Sequence, residues 1–114
     1  MSAETLRRAA SLMRERAEGA TPGPWRAEWL DGTAAMPVDT WAVTPGVAET
    51  NRWTRGGINA AHIASWHPAV ALAVADWLSD VANRHEASGA EGGIAPVDHP
   101  FALTVARSYL GGAR

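Results

Sequence analysis

The sequence predicts an α+β protein in which a short antiparallel sheet of about three strands packs against about four helices. Apolar residues recur at helical spacing near both ends of the chain and in an alanine-rich segment after Pro68. Between these segments, residues 25–53 alternate apolar and polar side chains and are interrupted by Gly- and Pro-containing turns. The middle of the chain is rich in tryptophan, which indicates a core or an exposed face built on indole rings. The six tryptophans are Trp25, Trp29, Trp41, Trp53, Trp66 and Trp77.

Length and composition restrict the class of protein. The 114 residues fit a single domain, spanning residues 1–114, that can bury its own core. The chain has no cysteine, and its net charge of −2 gives no electrostatic reason to bind nucleic acid or an anionic membrane. It also lacks an apolar run long enough to span a bilayer and an N-terminal signal peptide. We therefore expect a soluble, cytoplasmic protein with no membrane partner and no nucleic-acid partner.

The N-terminal segment predicts an amphipathic helix. We expect it to span about residues 3–18, with Ser2 as its N-cap and Gly19 as its terminator. Arginines and glutamates occupy one side of this helix, and an apolar stripe on the other side should face the core. The stripe consists of Leu6, Ala9, Ala10, Met13 and Ala17.

Three short strands are predicted after a Pro- and Gly-containing segment. They should cover about residues 25–30, 40–44 and 47–53, and turns at residues 31–32 and 45–46 should join them into a meander. If Trp25, Trp29 and Trp41 share one face of the sheet, they pack under the helices. Otherwise some of these indoles form an exposed binding surface, because tryptophan is enriched at interaction hot spots. We expect Trp53 to be partly exposed.

The second half of the chain predicts three helices. A short helix should begin near Ile58 or Asn59, with Asn59 as its cap. Pro68 should open the next helix, which runs to about residue 85, and the preceding His67 can help to cap it. Because the first half of this helix is apolar nearly all round, we expect it to be the central helix or to lie at a subunit interface. A homodimer follows from this expectation.

A flexible connector is predicted at about residues 86–97, where Ala, Ser, Gly and Glu predominate. The last helix should be capped by Asp98 or His99 and have Pro100 in its first turn. Two glycines, at positions 111 and 112, should end it.

The link between the third strand and the second helix is a candidate anion site. Two glycines follow a strand and precede a helix there, which is the context in which backbone N–H groups bind anions. Their spacing matches neither the phosphate loop nor the dinucleotide-binding motif. The candidate ligand-binding residues are Arg52, Trp53, Arg55, Gly56, Gly57, Asn59 and His62.

Catalytic and metal sites have weaker support. His62 and His67 are five residues apart, which is not the spacing of two ligands on one helical face, and a site would need a third ligand such as His99. A hydrolase built on Ser65, one of these histidines and Asp98 lacks the strained turn of a nucleophile, since Ser65 lies within a predicted helix. We expect no catalytic residue, no metal and no cofactor.

Three stretches of the sequence carry a family resemblance. They are the segment Thr-Pro-Gly-Pro-Trp at residues 21–25, the segment Asn-Ala-Ala-His-Ile-Ala-Ser-Trp-His-Pro-Ala at residues 59–69, and the segment Ala-Leu-Thr-Val-Ala-Arg-Ser-Tyr-Leu at residues 102–110. They resemble the recurring elements of an uncharacterised family of small proteins from actinobacteria and their phages. Similar members often carry cysteines before the last helix, where this chain has Asp98, His99 and Pro100. The resemblance implies a phage or prophage context and no particular chemistry.

These observations favour a non-enzymatic binding or regulatory protein that acts through a protein partner, with a surface of Trp and Arg side chains. The alternative is a small-ligand or nucleotide-binding protein with an anion site at the strand-to-helix link. An enzyme ranks third.

Overall fold

A computed structural model describes residues 2–30, 40–44, 46–50, 55–90 and 95–111. The chain divides into two compact units. Unit 1 comprises Met1–Gly19 and Ala71–Arg114, and unit 2 comprises Ala20–Val70. Each unit has its own apolar core. The expectation that residues 1–114 form a single domain stays a prediction.

The observed elements confirm the predicted α+β class. In chain order they are α1 (Ser2–Gly19), β1 (Ala27–Leu30), β2 (Thr40–Val43), β3 (Ala48–Thr50), α2 (Gly56–Ser65), α3 (Pro68–Ala90) and α4 (His99–Tyr109). None of the helices in the described ranges is long and apolar enough to cross a membrane.

Unit 1 is a packing of α1, α3 and α4. The predicted stripe of α1 is buried, and Leu6 and Met13 are its largest members. α3 contributes Leu78 and Val81 to the same core, and α4 contributes the small residues Ala102 and Ala106. Alanine at these positions allows the α4 backbone to approach its neighbours closely, so the core combines large side chains from α1 and α3 with small ones from α4.

Ion pairs and hydrogen bonds connect α1 to α3 at the rim of this core. Arg7 Nη2 donates to Glu86 Oε1 at 2.7 Å and to Asn83 Oδ1 at 2.8 Å. Arg14 Nη2 donates to Ser79 Oγ at 2.9 Å and to Asp76 Oδ1 at 3.2 Å. These side chains are at least partly exposed, so each pair adds little stability, but together they orient the two helices.

The third helix is longer than its sequence predicts. It begins at Pro68 as expected and continues to Ala90, so the prediction of a connector is wrong for residues 86–90. Glu86 is paired with Arg7 of α1, and this tertiary contact favours helix where local composition suggests a linker. Residues 91–94, which belong to the predicted connector, lie outside the described residues.

The last helix has the predicted ends. Asp98 is the N-cap, although its carboxylate forms no capping hydrogen bond, and Pro100 lies in the first turn. Gly111 follows the helix with a φ of 71°, and its N–H donates to Ser108 O. A glycine adopts this left-handed conformation without a Cβ clash, which explains the helix end. At the other end of the chain, the predicted cap Ser2 is instead the first residue of α1.

The sheet of unit 2 is the predicted antiparallel meander with the order β1-β2-β3. In the described residues, β1 begins at Ala27, β2 ends at Val43 and β3 covers Ala48–Thr50, so the first two strands are shorter than predicted. The predicted turn at residues 31–32 and residues 51–53 of the predicted third strand lie outside the described residues. Trp29 and Trp41 are cross-strand partners, and their rings meet edge to face with centroids 5.5 Å apart. Such a pair contributes to the stability of two adjacent strands.

The tryptophans in the described residues pack in more than one core. Trp25 and Trp41 pack against the core of unit 2, which consists of Val43 on β2 and two alanines of α2. Trp77 on α3 packs against the core of unit 1. The described indoles therefore contribute to two cores, because the sheet packs against α2 and α3 packs with α1 and α4.

Candidate functional site

The start of α2 is the part of the predicted ligand site that the structure describes. Arg55 is the N-cap residue, has a left-handed backbone (φ 47°, ψ 22°), and makes no side-chain capping bond. The helix then begins at Gly56, so the predicted cap Asn59 lies one turn inside it, where its N–H donates to Arg55 O at 2.8 Å. The prediction of Asn59 as a cap is wrong. Arg52 and Trp53 lie outside the described residues.

The two glycines allow α2 to contact the sheet. Gly56 is buried, and its carbonyl accepts a hydrogen bond from Thr50 Oγ1 at 2.6 Å. A Cβ on Gly57 would lie 2.9 Å from Trp41 Cε2 and 3.1 Å from both Cζ2 and Nε1. Glycine is needed at position 57 because the helix backbone lies directly on the indole ring. This close approach explains Gly57 without an anion, and the anion-site interpretation stays a prediction.

The opposite side of α2 is exposed and partly apolar. Ile58 is 68% exposed and Trp66, at the C-cap, is 38% exposed. His62 lies midway between them, and it too is exposed. Because these residues recur at intervals of four, they follow one side of the helix. We call Ile58, His62 and Trp66 the α2 stripe. The spacing of these residues is readable in the sequence, but their exposure depends on which face of the helix packs on the sheet.

The candidate hydrolase is not supported by the position of Ser65. Ser65 Oγ donates to the backbone carbonyl of His62 at 2.6 Å. A nucleophilic serine instead donates to the side chain of a base. The hydroxyl is therefore used locally, within the last turn of α2.

The two most distinctive segments of the family resemblance meet in unit 2. A Cβ on Gly23 would lie 2.9 Å from His67 Nδ1, so the Thr-Pro-Gly-Pro-Trp segment lies against the residue that precedes Pro68. The Gly23–Pro24 peptide bond is cis. Trp25 then packs on the core that α2 completes, and its Nε1 donates to Thr21 O at 2.8 Å. The contact between these two segments thus lies within one unit.

His67 does not act as the predicted cap of α3. Its Nδ1 is buried and has no hydrogen-bond partner among the described residues. Its backbone carbonyl accepts a bond from the N–H of Val70 at 3.0 Å. The ring is therefore a packing element against Gly23.

Unit 1 contains a polar cluster that the sequence patterns did not predict. Arg84 donates two hydrogen bonds to Asp98, at 2.8 and 3.0 Å, and one to Asp80 at 2.8 Å. Trp77 Nε1 donates to Asp98 Oδ2 at 3.0 Å. The bonds from Arg84, followed by the bond from Trp77, lower the pKa of Asp98 to about 2. Trp77 and Arg84 are seven residues apart, so two turns of α3 bring them to one face. This spacing is the feature of the sequence from which the cluster could have been predicted.

A shallow groove of about 890 Å³ lies beside α1 in unit 1. Its lining includes side chains of both signs, such as Arg8 and Glu15, and the apolar Leu12 and Leu110. None of the predicted ligand-binding residues in the described ranges lines it. The mixed charge defines no single ligand class.

A search for metal sites in the described part of the chain finds no group of three or more His, Asp or Glu side chains that could hold an ion. The chain matches no protein-family model, and neither a curated protein nor a solved structure is significantly similar to it.

Proposed function

We propose that the protein is a non-enzymatic binding or regulatory protein that acts through a protein partner, and that the α2 stripe is its contact surface. The observation that carries the proposal is the exposure of Ile58 and Trp66 on the side of a helix that faces away from its own core. Large apolar side chains grouped on one exposed face mark interaction sites. Tryptophan is also among the residues that contribute most to binding at such sites.

The charge of α2 limits the kind of partner. The helix contains no Asp or Glu, and the exposed Arg55 precedes its first turn. The N-terminal end of a helix carries a partial positive charge, to which the Arg55 guanidinium adds. The partner that fits this surface offers an apolar patch to Ile58 and Trp66 and a carboxylate near Arg55.

The scaffold beneath the stripe is suited to binding without rearrangement. The buried side of α2 contributes Ala60 and Ala64 to the core of unit 2, and Gly57 lies on Trp41. A surface held on a packed helix loses little conformational entropy on binding. The family resemblance directs the search for the partner to the proteins of an actinobacterial host, in keeping with a phage or prophage context.

The test compares charged variants of two exposed apolar residues. Ile58→Glu places a charge in the α2 stripe, and Val97→Glu, at a position that is 90% exposed in unit 1, is the matched control. Tagged wild-type and variant proteins are incubated with host lysate, and retained proteins are quantified by mass spectrometry. We expect a protein whose recovery falls at least about tenfold with Ile58→Glu, a loss of more than 1.4 kcal/mol of binding energy, and is unchanged with Val97→Glu.

The outcomes of this comparison separate the candidates. Equal recovery with both variants would remove the α2 stripe as the contact surface. If an untagged copy of the same chain is added to the lysate, its selective loss with Ile58→Glu would identify the homodimer that the sequence suggests. That expectation now has less support from α3, because the exposed positions in its first half, Ala69, Ala73 and Asp76, carry no large apolar side chain.

The small-ligand alternative has one supporting observation. The N-terminus of α2 lacks a side-chain cap and lies next to the exposed Arg55. The packing of Gly57 on Trp41 weakens this alternative, because an indole ring already lies against one of the two glycines proposed to bind the anion.

A further inference from the structure

Two histidines of unit 1 form a stacked pair. His85 lies near the end of α3, and His99 is the first residue of α4. Their ring centroids are 4.1 Å apart and their planes differ by 16°. His85 Nδ1 and His99 Nε2 are buried, and neither has a hydrogen-bond partner among the described residues. Two neutral imidazoles can stack in this way, since neither ring carries a charge that would repel the other.

Protonation is unfavourable in this arrangement. An imidazolium carries N–H groups on both nitrogens, so a proton on both rings would leave buried donors without an acceptor. The two positive charges would also repel each other across about the 4.1 Å that separates the ring centroids. Burial, with smaller effects from His85 and Arg107, lowers the pKa of His99, which agrees with the geometry.

Of the charged groups around His99, Asp98 favours its protonation, but this is the smallest of the effects on the pKa of His99. Asp98, beside His99, is bound by Arg84, and Glu86, beside His85, is bound by Arg7 of α1. Both carboxylates are therefore already paired with arginines. Arg107 on α4 adds a further positive charge near His99.

We propose that the His85–His99 stack is a pH-sensitive latch, which holds the start of α4 against α3 when the rings are neutral and opens when both take up protons in mildly acidic solution. The Asp98–Arg84 pair remains charged over this range, because the pKa of Asp98 is about 2. It keeps the N-cap of α4 attached to α3 while the first turn of the helix loosens. The latch thus changes local order without unfolding unit 1.

Amide hydrogen exchange on the full chain tests the latch. The reporter is the N–H of Ala102, which donates to Asp98 O at 2.9 Å, and the reference is the N–H of Leu110, bonded to Ala106 O at the other end of α4. After correction for intrinsic rates, we expect the protection of Ala102 relative to Leu110 to fall about tenfold or more between about pH 7.5 and pH 5.5.

Two variants separate the latch from a general effect of acid. His99→Phe keeps a flat ring on His85 but cannot take up a proton, so the protection of Ala102 should become independent of pH. His62→Gln, on the exposed side of α2, should behave as the wild type. Unchanged protection in the wild type, or the same loss in His99→Phe, would overturn the proposal.

A second measurement applies if His99→Phe does not fold. The imidazole resonances of the wild-type protein are titrated by NMR, and the amide of Ala102 is followed in the same samples. The latch requires that the later of the two proton uptakes and the change at Ala102 share one midpoint. Two titrations that leave the Ala102 amide unchanged would rule the latch out.

Discussion

A methyl group at position 57 tests the close contact between α2 and the sheet. In Gly57→Ala the new Cβ would lie 2.9 Å from Trp41 Cε2 and 3.1 Å from two further ring atoms. Carbon atoms in ordinary contact are about 3.5–4.0 Å apart, so the ring or the helix must move by roughly 0.5–1 Å. The change adds one methyl group and removes no polar interaction, which makes the cause of any loss of stability easy to assign.

Trp41 has little freedom to move away. It lies on the central strand of the sheet, its ring meets Trp29 at 5.5 Å, and it packs on the core that contains Val43. Overpacking of this kind costs about 1–3 kcal/mol. Alanine recovers up to about 1 kcal/mol of this cost, since it is favoured over glycine in a helix. We expect Gly57→Ala to lower the free energy of unfolding by about 1–2 kcal/mol.

Urea unfolding followed by tryptophan fluorescence measures this effect. The matched control is Gly19→Ala in the last turn of α1, where a Cβ would meet nothing within 4 Å. The control should equal the wild type or be slightly more stable, because only the helix preference changes. If Gly57→Ala unfolds at the same urea concentration as the wild type with the same slope, the close contact with Trp41 is wrong.

Two further predictions concern unit 1. Met13→Ala removes a fully buried side chain of the core and should lower the free energy of unfolding by about 2–5 kcal/mol in the same urea assay, whereas a loss below about 1 kcal/mol would contradict its placement. The low pKa of Asp98 stabilises the folded state above about pH 4, the ordinary range of an Asp carboxyl, and this contribution is lost as the pH falls towards about 2. The melting temperature measured by circular dichroism should therefore fall between about pH 4 and pH 2 less steeply in Asp98→Asn than in the wild type, and equal slopes would refute the assignment.

Local patterns predicted much of the secondary structure. The stripe of α1 from Leu6 to Ala17 is buried as predicted, since its spacing leaves only one side of a helix apolar. Pro68 begins α3, because a proline has no N–H to lose at a helix start. The three strands and their order also follow from alternation and turn residues, apart from their ends.

The candidate site was predicted less well. The glycines at positions 56 and 57 indicated a special backbone position, but not that a tryptophan from another element lies against one of them. Asn59 suggested a cap from its type alone, and the helix begins three residues earlier. The α2 stripe was missed because Ile58 looks like a core residue until the buried side of the helix is known.

The sequence by itself determined the α+β class, the order of the elements and the beginning of α3, since these depend on spacing and on the backbone preferences of nearby residues. Only the tertiary structure decided that α3 continues through Glu86, that the indoles belong to two cores and that His85 stacks on His99. Each of these features depends on a contact between residues distant in sequence, and neither periodicity nor propensity specifies which distant partner a side chain meets.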